Sequence, residues 1–335
     1  MEKNVKLETI CAIDEHTLWA LGDATVFYIT LGEDLKVKRV YNADRIFEIS
    51  YSKAGFLYLT QNGEIGRINS KGKYEKFADE SPLGCCGIYA YDSGDIVVGV
   101  IENETDAEPF HKIVMYNKNG ELTNSFQYNI FDTPDFIDAL PQQITVNPLN
   151  GDIIIIDWNC EVSTRVVGLS KTGNIHWMFH GPFDEPDEIF CPDAIACADS
   201  GHVLILTDKT LLVLSQDGNL AYKKPINLES IDCITNIVKD LFFVACDGCK
   251  IHKLSITYYL IKGRGFRKTT SPIPFLKKEA TRHVEEFFGT PEDNTKDIHV
   301  FEIASKHDAS KHCNYCGTCL GQLVLGSNDG CYRLG

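Results

Sequence analysis

The residues with the clearest chemical potential sit near the C-terminus, in Lys311-His312-Cys313-Asn314-Tyr315-Cys316-Gly317-Thr318-Cys319. Thiolates two residues apart on a tight turn can grip one metal ion, so His312, Cys313, Cys316 and Cys319 form a candidate structural zinc site. His307 or Cys331 would complete the set, because His312 directly adjoins Cys313 and the two share one ion awkwardly. The competing reading is a loop of unliganded thiols. Cys246-Asp247-Gly248-Cys249 repeats the short spacing between two strand-like runs, where core or turn cysteines are the favoured reading. Asp157 and Asp208 follow apolar strands, with Asp23 less clearly placed, and such carboxylates could line one rim of a fold and hold a divalent cation. They could equally cap turns or be solvated. The histidines His16, His111, His176, His180, His202 and His252 are dispersed. His176 and His180 share a four-residue step, which joins ligands on a helix and not on the strand expected there. No Gly-x-Ser-x-Gly elbow or His-Glu-x-x-His pair occurs.

The elements that must position these groups repeat. A strand, a polar turn with glycine and a second strand recur around Gly72, Gly120, Gly173 and Gly218, in steps of 48, 53 and 45 residues. Asn-Gly and Asp-Gly supply the positive φ that tight hairpins need. A turn followed by an apolar run precedes each unit, at Asp14–Leu21, Ser52–Leu59, Asp92–Val98, Asn150–Asp157, Ser200–Leu206 and Lys239–Val244. Three or four short strands at a period of roughly 40–50 residues indicate the blades of a propeller. Ile153–Ile156 and Leu241–Ala245 are apolar throughout, as strands sandwiched between neighbouring blades must be. The expected fold is therefore all-β, a six-bladed β-propeller over 1–261 with blades near 7–42, 45–78, 85–128, 142–180, 193–226 and 231–261. A β-sandwich with coincidental spacing is the alternative.

The stretch from Gln142 to Leu260 resembles the NHL-type propeller of tripartite-motif proteins, within the broader NHL and TolB-like group. Ile144-Thr145-Val146-Asn147-Pro148-Leu149-Asn150-Gly151-Asp152-Ile153, Asp157-Trp158-Asn159 and Val213-Leu214-Ser215-Gln216-Asp217-Gly218-Asn219-Leu220 carry the resemblance. Residues 7–141 match more loosely, chiefly through Cys11–Trp19. The resemblance implies a propeller that binds protein or, in some relatives, RNA. Relatives begin with a RING finger, B-boxes and a coiled coil, which do not precede this first blade, so ligase activity is not carried over. The Asn-His pair of the repeat is absent after Asp208.

After Tyr259 the composition changes. Lys262, Arg264, Arg267 and Lys268 with Gly263 and Gly265 read as a linker into a short mixed extension, 262–335. Leu276, Ala280, Val284, Phe287 and Phe288 share one face of an expected amphipathic helix over Ser271–Phe288, and Leu323–Leu334 reads as a hairpin.

The chain has 32 basic and 47 acidic residues, a net charge of -15, which disfavours a phosphate backbone as partner. The start, Met1-Glu2-Lys3-Asn4-Val5-Lys6, lacks a secretory signal and no apolar run reaches membrane length, so a cytoplasmic protein without membrane contact is expected. Thirteen scattered cysteines read as reduced thiols. The function expected is non-catalytic recognition of a protein partner through loops at one rim, using Asp157, Trp158, Asn159, Asp208, Lys209 and Asp247, with no cofactor and no enzymatic activity. The alternatives are an RNA-binding propeller and a six-bladed hydrolase of the lactonase type, which holds a divalent cation in its channel.

Overall fold

A computed structural model describes residues 6–323, apart from 32–35, 44, 102–110, 128–139, 159–163, 183–189, 208–209, 227, 229, 239–240, 247–249, 263–264, 269–300 and 313–318. Side chains are described up to Leu254. The expected six-bladed propeller is what the chain forms, and no helix occurs among the described residues. Nor is any described helix long and apolar enough to cross a membrane.

The first blade is an antiparallel meander of β1 (Thr9–Ala12), β2 (Thr17–Gly22), β3 (Thr25–Thr30) and β4 (Lys36–Asn42). The second repeats it with β5 (Glu48–Ser52), β6 (Phe56–Gln61), β7 (Glu64–Asn69) and β8 (Tyr74–Asp79). The third holds β9 (Gly84–Ala90), β10 (Ile96–Ile101), β11 (His111–Tyr116) and β12 (Leu122–Phe126). The fourth holds β13 (Leu140–Val146), β14 (Ile153–Trp158), β15 (Arg165–Leu169) and β16 (Ile175–Phe179). The fifth holds β17 (Ala194–Cys197), β18 (Val203–Thr207), β19 (Thr210–Leu214) and β20 (Leu220–Pro225). The sixth starts with β21 (Ile231–Val238), β22 (Leu241–Cys246) and β23 (Lys250–Lys262).

The extension joins that sixth sheet. β24 (Gly265–Lys268) pairs with the end of β23, and β25 (Phe301–His312) runs parallel beside β23 with β26 (Cys319–Leu323) outside it. The helix expected over Ser271–Phe288 lies outside the described residues, as does all but the first residue of the hairpin expected over Leu323–Leu334.

Each first strand neighbours the first strands of the two adjacent blades, so β1, β5, β9, β13, β17 and β21 form the inner ring. Apolar side chains alternate faces along each strand and fill the six gaps between blades. Ile153 and Ile155 pack toward the third blade, while Ile154 and Ile156 pack toward the fifth. That division explains why β14 is apolar at successive positions.

The ring closes between its first and last blades by the same packing. Ile10, Leu18, Phe27 and Ile29 meet Cys233, Phe243, Ala245 and Ile251 in one buried cluster. Two polar ties support the closure, from Lys6 to Asp232 at 3.2 Å and from the Ala12 N–H to the Thr235 hydroxyl at 3.3 Å.

The recurring hairpin glycines have a second role. Each donates its N–H back across the turn, to Asn69, Asn117, Ser170 and Ser215 respectively, at 2.8–3.0 Å. A Cβ on each would also meet the outer strand of the preceding blade, at Val40, Phe77, Phe126 and Trp177 in turn. The turn therefore docks closely onto the neighbouring blade, which only glycine permits. Gly218 combines a φ of 74° with contact against the Trp177 ring. Gly55, at a φ of 92°, has nothing within 4 Å of such a Cβ. Gly55→Ala is expected to cost about 1–2 kcal/mol, the backbone strain alone. Gly218→Ala should cost about 1–3 kcal/mol more through overpacking, measured by urea unfolding of both variants.

Candidate functional site

Three carboxyl groups lie where inner strands begin: Glu8 just before β1, Glu48 at the first position of β5, and Asp232 at the second of β21. Asp23 joins them from the tight turn between β2 and β3, which lies at the same rim because the Glu8 N–H bonds the Leu21 carbonyl at 2.8 Å. The mouth of the channel at this rim is therefore acidic, with Lys6 as its near cation.

Glu48 is the most perturbed of the group. It is partly buried, and burial pushes its carboxyl up to about 8. The Thr9 side chain and the Ile49 N–H hydrogen-bond it and favour the charged form, while the charge of Glu8 works against that form. Desolvation outweighs the hydrogen bonds, so the group keeps its proton at neutral pH. Glu8 is raised as well, first by burial and then by Asp23, with Lys6 opposing and Asp232 adding to the rise. Below them, burial pushes up the Cys11 and Cys233 thiols, which Glu48 also faces. Two neighbouring carboxyls that hold protons at different pH values can supply general acid and general base together.

The site residues expected from the sequence are distributed differently. Asp157, the penultimate residue of β14, is fully buried, and its carboxylate takes two hydrogen bonds from Arg165 opposite it on β15, at 2.8 Å and 2.6 Å. Both side chains are almost wholly enclosed, so Asp157 presents no free carboxylate at the rim. This corrects its expected role in an exposed loop: a buried arginine requires a buried counter-charge. His180, just past β16, is lowered by burial and then by the Arg165 charge, so it stays neutral beside the pair. Trp158 is half-buried against the core between the fourth and fifth blades. Asn159, Asp208, Lys209 and Asp247 lie outside the described residues.

Of the candidate zinc ligands, His312 ends β25 and pairs in register with Cys319 on β26, while Cys313 and Cys316 lie outside the described residues. Among the described residues no group of three or more His, Cys, Asp or Glu side chains is placed to hold a metal ion. Cys11, Cys85, Cys197, Cys233 and Cys246 are buried thiols.

Glu48 escaped the sequence reading. Its one signal is a carboxylate opening the otherwise neutral strand Glu48-Ile49-Ser50-Tyr51-Ser52, which reads as an ordinary solvated strand start.

No family model matches the chain, and no curated protein does. Solved structures do. A gluconolactonase from Xanthomonas campestris aligns with a TM-score of 0.53 at 13% identity, over 74% of this chain and 85% of that one. A streptogramin B lyase aligns with a TM-score of 0.52 at 15% identity, over 75% and 93%. A protein of unknown function from Bacteroides caccae aligns with a TM-score of 0.52 at 10% identity, over 69% and 86%. At these identities the shared property is the propeller fold, and a membership specific to tripartite-motif proteins is not among the findings. The expectation of no enzymatic activity is overturned. This fold is carried by a gluconolactonase and a lyase, so a propeller without a familiar catalytic motif gives no ground for excluding catalysis.

The buried pair makes a separate prediction. Asp157→Ala strands the Arg165 charge and should cost about 3–5 kcal/mol in denaturant unfolding. The double replacement of Asp157→Leu with Arg165→Met should recover most of that loss.

Proposed function

We propose that the chain is a propeller hydrolase acting on a small lactone or related ester at the mouth of its central channel. The observation that carries this reading is the Glu48 carboxyl, which burial keeps protonated at neutral pH beside a second raised carboxyl, Glu8. Protonated Glu48 delivers its proton to the ring oxygen as the acyl C–O bond breaks. Glu8 takes a proton from the water that adds to the carbonyl carbon. The products are a carboxylic acid and an alcohol in one molecule. The gluconolactonase of the same fold supports the substrate class.

A second reading, recognition of a protein partner at this rim, is favoured by Phe47. It stands 50% exposed immediately before Glu48, an apolar ring among charges, which is the composition of an interface anchor. The resemblance to NHL-type propellers supports the same reading. The acidic groups around the mouth work against RNA, whose phosphates they repel.

Two measurements test the hydrolase reading. With a panel of lactones and aryl esters, the protein should turn over at least one class, and Glu48→Gln should lower that rate by about 100-fold or more. Wild-type turnover should fall as pH rises through about 8, where Glu48 loses its proton. An inactive wild type across the panel, or a fully active variant, would sink the proposal. Stability gives an independent check. The ordinary value for this carboxyl is 4.5, so between that and about 8 the folded chain binds more protons than the unfolded one. Its stability contribution is therefore full below the lower value and declines as pH rises through the upper one. Unfolding midpoints of wild type and Glu48→Gln should run parallel near about pH 4 and separate by about pH 9, with the variant the more stable.

A further inference from the structure

A cleft of about 520 Å³ opens at the same rim as the channel mouth but further out, between the end of the first blade and the second. Asn42, Ala43 and Arg45 form one side, and Gln61, Asn62, Glu64, Lys76, Asp79 and Ser81 the other. Apart from Ala43, every one of these side chains is polar or charged, so the cleft offers little surface to an apolar ligand.

The charges in it divide into satisfied and unsatisfied groups. Lys76 bridges Asp79 at 2.5 Å and Glu64 at 3.4 Å. Glu64 also accepts a hydrogen bond from the Tyr74 hydroxyl, and Asp79 accepts the Ser81 N–H at 2.9 Å. Lys76 and Ser81 together hold the Asp79 carboxyl well below the ordinary carboxylate range. Gln61 spends its amide N–H on the Tyr41 hydroxyl at 3.4 Å. Arg45 is different. It is exposed, and no ion pair or hydrogen bond engages its guanidinium among the described residues; the same holds for the carboxamides of Asn42 and Asn62.

Among the described residues, one unspent guanidinium beside two unspent carboxamides defines a ligand. A guanidinium fork matches a carboxylate bidentately. With Arg45 the one unspent cation of the cleft among the described residues, a monoanion is suited to it, where a phosphate would call for several. The carboxamides each offer a donor and an acceptor, which pair with hydroxyl groups. The small share of apolar lining disfavours apolar peptide side chains. We infer that this cleft is a binding site for a small polyhydroxylated carboxylate, separate from the channel mouth. Arg45 holds its carboxylate, and Asn42 and Asn62 hold its hydroxyls.

The test is titration calorimetry on the full chain with gluconate as probe. Glucose serves as the uncharged counterpart, inorganic phosphate as a bare anion and N-acetyl-diglycine as a peptide end. Gluconate should bind saturably and glucose should not. Arg45→Gln, an exposed substitution, should weaken gluconate by about tenfold or more, while Glu48→Gln leaves it unchanged. The inference is overturned if gluconate gives no saturable binding at millimolar concentration, or if Arg45→Gln binds it as well as wild type. It is equally overturned if phosphate or the peptide end binds as tightly as gluconate. Loss of binding in Glu48→Gln alone would place the ligand in the channel and also overturn it.

Discussion

Apolar packing between neighbouring blades is the interaction on which everything else in this molecule rests. Each four-stranded sheet is apolar on both faces, so a blade in isolation would expose two such faces to water. Covering one face merely transfers the problem to the next blade, until the sixth meets the first. A buried Leu, Ile or Phe side chain contributes about 1.5–3 kcal/mol, and each of the six gaps holds eight or more buried apolar residues. Closure is consequently cooperative: opening the gap between the first and sixth blades exposes Phe27, Phe243 and their neighbours together. The turn glycines extend this packing outward, because each hairpin lies directly on the blade before it.

This rigid ring is what allows costly groups at its mouth. Six inner strands converge on one axis, and their first residues crowd together whatever their chemistry. Glu8, Glu48 and Asp232 are brought near one another by that convergence, at the expense of desolvating carboxyls that would each be content in water. The packing elsewhere offsets the expense. Blade 4 solves a similar problem structurally, by pairing Asp157 with Arg165 across adjacent strands, and so removes both charges from the rim. The contrast between a neutralised pair and an uncompensated carboxyl separates a scaffold charge from a candidate catalytic one.

Much of the architecture was legible because its causes are local. Gly72, Gly120, Gly173 and Gly218 declare hairpins through their neighbours, since an Asn or Ser three residues earlier accepts the turn N–H groups. The unbroken run Ile153–Ile156 declares a strand covered on both faces. The site was less legible. Asp157 follows an apolar strand and reads as a rim carboxylate, yet its partner Arg165 sits eight residues on and faces it only through the β14–β15 register. Trp158 reads equally as a rim anchor or as packing between blades, and the gap between two blades takes much of its ring.

The sequence by itself determined the number of blades, the hairpins within them and the alternation that gives each sheet two apolar faces, because propensity, turn chemistry and period act over a few residues. Only the tertiary structure decided which carboxyls meet at the channel mouth and which cation, among the described residues, is left unspent in the cleft. Glu8 and Glu48 are 40 positions apart in the chain, and Glu8 and Asp232 more than 200, so no local pattern couples them. Their shared desolvation and mutual repulsion exist only once the ring has closed around them.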